Sequence, residues 1–414
     1  MLISLIAKAQ KQKCATVHLL EKRVEKDSSI KQRLKQSEIQ TQKNIALLRQ
    51  SKKALQIINI PVVVHVLWHK PIENISNEQI MSQMDVLNED FRLKNSDTLP
   101  QTHPFWKDMA DTQINFCLAN TDENGNATTG ITRTYTDSIS FTGQGYEKYT
   151  ASGGKDNWNP TQYLNLWVCN LDSSSGNTLG YSAFPAEMAI SPADDGVVIR
   201  YETFGRTGTA GSGGWTYNSL GRTATHEVGH WFNLNHIWGN TICGDDLVSD
   251  TPPAYDSNYG CNGFPYNANS TCGSDVNGEM YMNYMDYSDD DCMNMFTLGQ
   301  AERMQAVLNG ERIGILTSKG YINIPNKVVE NFVANTITIS PNPNDGIFVI
   351  NYNNFNLKNT SIIVVNILGE TVKTIEHVEN NAVQINLSGY TNGVYYVQII
   401  SGKSSVIKKI IVAK

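Results

Sequence analysis

No apolar run in the 414-residue chain approaches the roughly 18 to 20 residues needed to cross a bilayer as a helix. An integral helical membrane protein is therefore excluded. The 31 glycines and 13 prolines follow no repeat period, which rules out collagen-like and low-complexity architectures. An overall basic charge is also missing, since the formal net charge is -7. Its distribution is uneven: residues 1–58 hold 13 Lys/Arg against 4 Asp/Glu, and residues 336–414 hold 6 against 4, leaving 14 against 32 in between. An acidic body argues against nucleic acid, whose binding rests on neutralised phosphates, and favours cationic partners. The basic N-terminal segment is one such partner.

What remains is a loop-rich globular protein long enough for two or three domains. Of seven cysteines, Cys243, Cys261, Cys272 and Cys292 fall in one Gly/Asn/Asp-rich stretch with little core of its own. Cross-links suit such a segment and imply export. Residues 1–9, with an apolar run and Ala7-Lys8-Ala9, read as the end of a signal peptide. Residues 10–56, rich in Lys, Gln and Glu, read as exposed, marginal helix that forms no domain alone.

From residue 57 the pattern changes to that of an α/β (α+β) domain. Strands are expected at 57–68, 114–119, 163–170 and 196–201, with a helix over 77–92. The Gly/Ser/Thr run 205–214 leads into a helix placed from about Tyr217. Residues 240–300 lack periodicity, and a helix follows near 300–309. After a linker at 319–335, short alternating strands over 336–414 indicate a small β-sandwich.

The chemistry sits in His226-Glu227-Val-Gly-His230-Trp-Phe-Asn233-Leu-Asn-His236. On a helix His226 and His230, four apart, share a face and both reach one zinc ion, with Glu227 placed to hold the attacking water. His236 on a continuing helix would stand about 9 Å further along the axis. The chain must turn sharply, and Asn233 is the residue to adopt positive φ there. Three imidazoles with an open fourth position make a catalytic type of site. His65, His69, His103 and His377 have no comparable partners and read as core or surface residues.

This motif, followed by Asn283-Tyr284-Met285-Asp286-Tyr287, resembles the metzincin metallopeptidases with their Met-turn. Asp289-Asp-Asp-Cys-Met-Asn-Met-Phe and Cys243-Gly-Asp-Asp-Leu-Val-Ser-Asp-Thr-Pro resemble the pappalysin (cytophagalysin) branch, over residues 57–316. Asn233 departs from the usual Gly. The resemblance implies a secreted zinc endopeptidase in which Glu227 is the general base, Met285 floors the imidazoles and Tyr287 stabilises the oxyanion. It further implies that Asp291 selects a basic residue, giving cleavage on the amino side of Arg or Lys. Disulfides Cys243–Cys272 and Cys261–Cys292 follow from it, as does a calcium site at Asp246 with the backbone of Ser249 and Thr251, for which a metal-free Asp-rich turn is the alternative. Cys14 would close the fourth zinc position in a zymogen whose own pro-segment is its inhibitor. Cys117 and Cys169 are either buried thiols or a third pair. Gly180–Pro185 is the expected rim along which a substrate strand adds.

Residues 336–414 resemble the type IX secretion sorting domain of Bacteroidetes proteins, through Ser340-Pro-Asn-Pro-Asn-Asp-Gly, Asn366-Ile-Leu-Gly-Glu, Asn392-Gly-Val-Tyr-Tyr and Lys408-Lys-Ile-Ile-Val. That implies export through the periplasm to the surface or beyond, with the secretion machinery as a partner. The competing reading is a secreted adhesin that keeps zinc only as a staple. Glu227 argues against it, since a structural site needs no general base.

Overall fold

A computed structural model describes residues 13–51, 56–172, 177–266, 272, 276–321, 337–352, 360–366, 370–376, 382–401 and 404–414. The signal-peptide stretch 1–9, most of the linker 319–335 and His377 lie outside them. The chain divides into two compact units, Met1–Ile322 and Asn323–Lys414.

In the first unit two helices, α1 (Thr16–Lys26) and α2 (Ser29–Ser51), precede the sheet. The sheet's central strand β1 (Ile58–Trp68) is apolar almost without interruption and buried over Ile60–Leu67, as expected of a parallel strand covered on both faces. Helix α3 (Asn77–Phe91) begins at Ser76, whose hydroxyl accepts from the Gln79 N–H at 3.2 Å. It buries Ile80, Met84, Leu87 and Phe91 in the main core. Strands β2 (Ile114–Leu118) and β3 (Ile131–Tyr135) pair in succession with the two halves of β1, and β4 (Leu164–Cys169) flanks it on the other side. Next come β5 (Gly180–Ser182), the short helix α4 (Pro185–Met188) and β6 (Val197–Arg200). The order is β2-β1-β4-β6-β5, with β3 also on β1; only β5, at the edge, is antiparallel. β3 has no strong apolar alternation and was not foreseen.

The active-site helix α5 (Arg222–Trp231) starts five residues later than the sequence pattern placed it. Gly221 has φ 79°, a conformation no helix continues through, so Thr216–Asn218 forms only an isolated 3₁₀ turn. Gly221 offers no side-chain cap. The Asp290 carboxylate supplies one from elsewhere, accepting the Leu220 and Arg222 N–H groups at 2.9 and 3.2 Å. Helix α6 (Leu298–Leu308) closes the unit, capped by Thr297, whose hydroxyl accepts from the Gln300 N–H. A buried ion pair, Arg312–Asp195 at 2.8 Å, ties the chain after α6 to the loop before β6.

Cys243–Cys272 and Cys261–Cys292 are bonded, as the resemblance implied. Cys117 and Cys169 are free thiols, on strands separated by β1, so the third pair does not form.

The second unit contains β7 (Ile337–Ser340), β8 (Ile347–Tyr352), β9 (Thr360–Asn366), β10 (Thr371–Ile375), β11 (Ala382–Asn386), β12 (Gly393–Ser401) and β13 (Ser404–Val412). They form antiparallel sheets β10-β9-β12-β13 and β11-β8-β7. Phe348, Ile350, Ile362, Val364, Val397 and Ile410 share one core between the sheets. This is the all-β sandwich that the alternation indicated.

Candidate metal centre and active site

Helix α5 ends where the metal motif needs it to. Asn233 has φ 68°, and the turn is closed by Asn233 N–H to His230 O at 2.8 Å and Leu234 N–H to Gly229 O at 3.0 Å. His236 is thereby folded back beside the helix. His230 Nε2 lies 3.2 Å from His226 Nε2 and 3.1 Å from His236 Nε2. Each Nδ1 is engaged, with Tyr284 O, Leu234 O and Asn240 Oδ1 respectively for His226, His230 and His236. Donation at Nδ1 leaves three Nε2 lone pairs facing one another. That arrangement repels itself without a cation, while ligands about 2.0–2.1 Å from a tetrahedral zinc stand about 3.3 Å apart. The residues therefore fit zinc. Burial pushes the His226 imidazole down to about 4, and burial together with the neighbouring rings pushes His230 and His236 well below their ordinary value. Neutral, ligating rings are favoured.

Met285 lies under α5, fully buried. A Cβ on Gly229 would sit 2.4 Å from its sulfur, so the glycine between the first two histidines lets the methionine approach the helix backbone. Tyr287 stands with its ring 5.7 Å from His226 and 5.0 Å from His236. Trp238 stacks on His236 at 4.4 Å with an interplanar angle of 3°. Neither Trp238 nor Asn240 was singled out from the sequence; their position just after His236 is the one signal that could have found them.

Cys14 joins the three histidines as the one metal-type cluster among the described residues, all four ligand atoms lying within 4.8 Å of one another. Residues 13–16 reach it as an added strand: Leu179 N–H donates to Lys13 O at 2.8 Å, Ala15 N–H to Gly180 O at 3.1 Å. The expected rim, Gly180–Pro185, is thus covered by the chain's own N-terminal segment. Gly180 also lets Glu227 pack against the edge strand, since a Cβ there would stand 3.0 Å from Glu227 Cγ. The Cys14 thiol and Thr16 hydroxyl donate to Glu227 Oε2 at 3.3 and 2.9 Å, and Tyr287 OH donates to Cys14 O at 3.3 Å. Thr16 had not been foreseen. Burial pushes Glu227 up to about 8 against these bonds, and burial, then the Glu227 charge, raises the thiol. With this segment in place the cleft beside His226, Glu227 and Tyr287 has a volume of about 20 Å³, room for roughly one water.

The three consecutive aspartates diverge, because the 3₁₀ turn Asp290–Cys292 spreads successive side chains about 120° apart. Asp289 pairs with Lys13 at 3.1 Å. Asp290 is buried at the start of α5 and lines the cleft. Asp291, assigned to the specificity pocket from the resemblance, is exposed and lines a different hollow with Asp97, Arg206 and Arg222. At the calcium candidate, Asp246 is buried and takes bonds from the Val248 N–H and the Thr251 hydroxyl, which occupies both carboxylate oxygens. Burial pushes it up to about 7. His65 is a core histidine, held between Thr132 and Asn165.

The peptidase M43 family model, described as pregnancy-associated plasma protein-A, matches residues 148–309, and that of the secretion system C-terminal sorting domain matches 338–413. Mature mirolysin from Tannerella forsythia, solved with a cleaved peptide, is 45% identical and superposes with TM-score 0.60 over 64% of this chain and 97% of that one. A promirolysin mutant from the same organism is 40% identical, with TM-score 0.66 over 74% and 97%. An extracellular metalloprotease of Pyricularia oryzae is 40% identical over 153 residues, 36% of this chain and 50% of that protein. The chain thus spans about half the length of the curated relatives it matches. The sorting domain marks it as a secreted or cell-surface protein of the Bacteroidetes type. With two solved relatives of at least 40% identity covered almost completely, the chain belongs to the M43 family of zinc metallopeptidases.

Proposed function

We propose that the protein is a secreted zinc endopeptidase made as a zymogen, cleaving peptide bonds on the amino side of Arg or Lys. The observation that carries this is the meeting of three Nε2 atoms at 3.1–3.2 Å on a helix that also presents Glu227. His226, His230 and His236 would hold the zinc, which when bound polarises the scissile carbonyl and acidifies the attacking water. Glu227 then takes the proton from that water and gives it to the leaving amine. Tyr287, freed from the Cys14 carbonyl, turns its hydroxyl to the developing oxyanion. Met285 keeps the rings in register from below.

Latency is supported by Cys14 and Thr16 occupying the position a substrate and water need. Basic specificity is supported by Lys13: next to the blocking cysteine, its ammonium finds Asp289 at 3.1 Å and Ser288 O at 3.3 Å. The carboxylate proposed to select a cation is therefore Asp289. Calcium at Asp246, Ser249 and Thr251 would need the Thr251 hydroxyl to yield the carboxylate.

Hydrolysis of a denatured protein by the chain freed of its N-terminal segment tests the reading. Activity abolished by Glu227→Ala and by a chelator supports it. New N-termini that are mostly neither Arg nor Lys would refute the specificity while leaving the zinc mechanism in place; no hydrolysis at all would refute the enzyme.

A further inference from the structure

The N-terminal segment touches the metal site from two directions. Residues 13–16 fill the cleft. Helix α2 lies elsewhere, against α6 and the turn between His230 and His236. Its buried residues are Ile30, Ser37, Thr41, Asn44 and Ile45, one helical face that is polar at its centre. Thr41 Oγ1 accepts a hydrogen bond from Asn233 Nδ2 at 3.3 Å. Glycine, the residue of the related motif, has no side chain with which to make it.

The carbonyl of the same Asn233 accepts from Arg303 Nε and Nη2 at 3.4 and 3.1 Å. Arg303 is 1% exposed, and its Nη1 and Nη2 also donate to Glu38 of α2 at 2.9 and 2.8 Å. One guanidinium therefore bridges α2 and the backbone of the zinc-ligand turn. Further along the helix, Asn44 Nδ2 donates to Ala306 O at 3.0 Å, and Arg33 and Ser37 bind the Glu311 carboxylate. The stretch Lys26–Ser29 that joins this set of anchors to α1 is exposed.

We propose that α2 is a second clamp of the latent form, gripping the turn that carries His236 through Thr41–Asn233 and Glu38–Arg303–Asn233, independently of Cys14 in the cleft. The inference rests on the zymogen reading and adds to it: the Asn at position 233 trades the conformational ease of glycine for a bond to the segment that must later leave. Arg303 and Asn233 are positioning residues here.

Amide hydrogen exchange on the zinc-loaded full chain tests it. In Glu38→Gln/Thr41→Val, amides of Asn233–His236 exchange roughly five- to tenfold faster, as the loss of one or two net hydrogen bonds implies, while Ala15 and Leu179 keep their protection. In Asn233→Gly, amides of Glu38–Ile45 exchange faster by a similar factor. Exchange at both places within about twofold of the unaltered chain overturns the clamp, as does loss of protection at Ala15 and Leu179 in the same proportion, which would make the segment one cooperative unit. If full-length and trimmed chains hydrolyse a denatured protein equally, the zymogen reading fails and the clamp with it; intact latency with an unchanged turn defeats the clamp alone.

Discussion

Helices α2 and α3 both pack on the catalytic body, yet α3 buries the larger apolar surface. α3 buries Ile80, Met84, Leu87 and Phe91 in the main core, and its Gln79 and Gln83 amides are spent on the backbone of Tyr201, Phe204 and Gly221. α2 buries Ser37, Thr41 and Asn44 between Ile30 and Ile45 and also reaches its neighbours through ion pairs. The body also holds an ion pair unlike the outermost one of α2. Arg312–Asp195 is wholly enclosed, whereas Arg49–Glu302 is 61% and 37% exposed. An element built to stay excludes water; one built to leave exchanges protein hydrogen bonds for water at little net cost.

Four substitutions or conditions probe that contrast, in falling order of effect. Asp195→Ala leaves Arg312 charged and enclosed, and is expected to destabilise the body by about 3–5 kcal/mol, read by denaturant unfolding of full-length and trimmed chains alike. Phe91→Ala, which opens a cavity among Phe116, Phe232 and Phe296, is expected to cost about 3–4 kcal/mol in both forms. Acid comes third. Although burial works to raise Glu38, its bonds with Arg303 and the Arg303 charge hold it below the ordinary carboxylate value. A depressed folded value means that its contribution is complete above about pH 4.5 and fades as pH falls further. Limited proteolysis of α2 is therefore expected to be faster at pH 4 than at pH 7, with cleavage inside α3 unchanged. Smallest is Arg49→Gln, with under about 0.5 kcal/mol expected from so exposed a pair and no change in the rate of α2 cleavage. A large effect there, or an Asp195→Ala chain as stable as the parent, would erase the distinction between the two kinds of contact.

Much of this was legible in the sequence because it is local. The spacing of His226, Glu227, His230 and His236 dictates a helix, a turn and a metal, and Asn233 does adopt the positive φ assigned to it. The acidic body, the basic leader and the alternating tail separate by composition alone. What failed depended on geometry across the chain. The start of α5 was misplaced because Gly221 breaks the run and its cap comes from Asp290, 69 positions on. Which of three adjacent carboxylates faces the cleft is set by the 3₁₀ turn Asp290–Cys292, which the run of aspartates does not reveal. Thr16 and Arg303 carry no mark of their roles; only the fold brings them to Glu227 and Asn233.

The most direct test is a time course of proteolytic removal of the N-terminal segment from the zinc-loaded full chain, followed by intact mass and by hydrolysis of a denatured protein in the same samples. The account predicts negligible hydrolysis while Cys14 and α2 remain attached, and activity rising in step with their loss. Full activity before any mass is lost, or none after the segment has gone with zinc still bound, would contradict it.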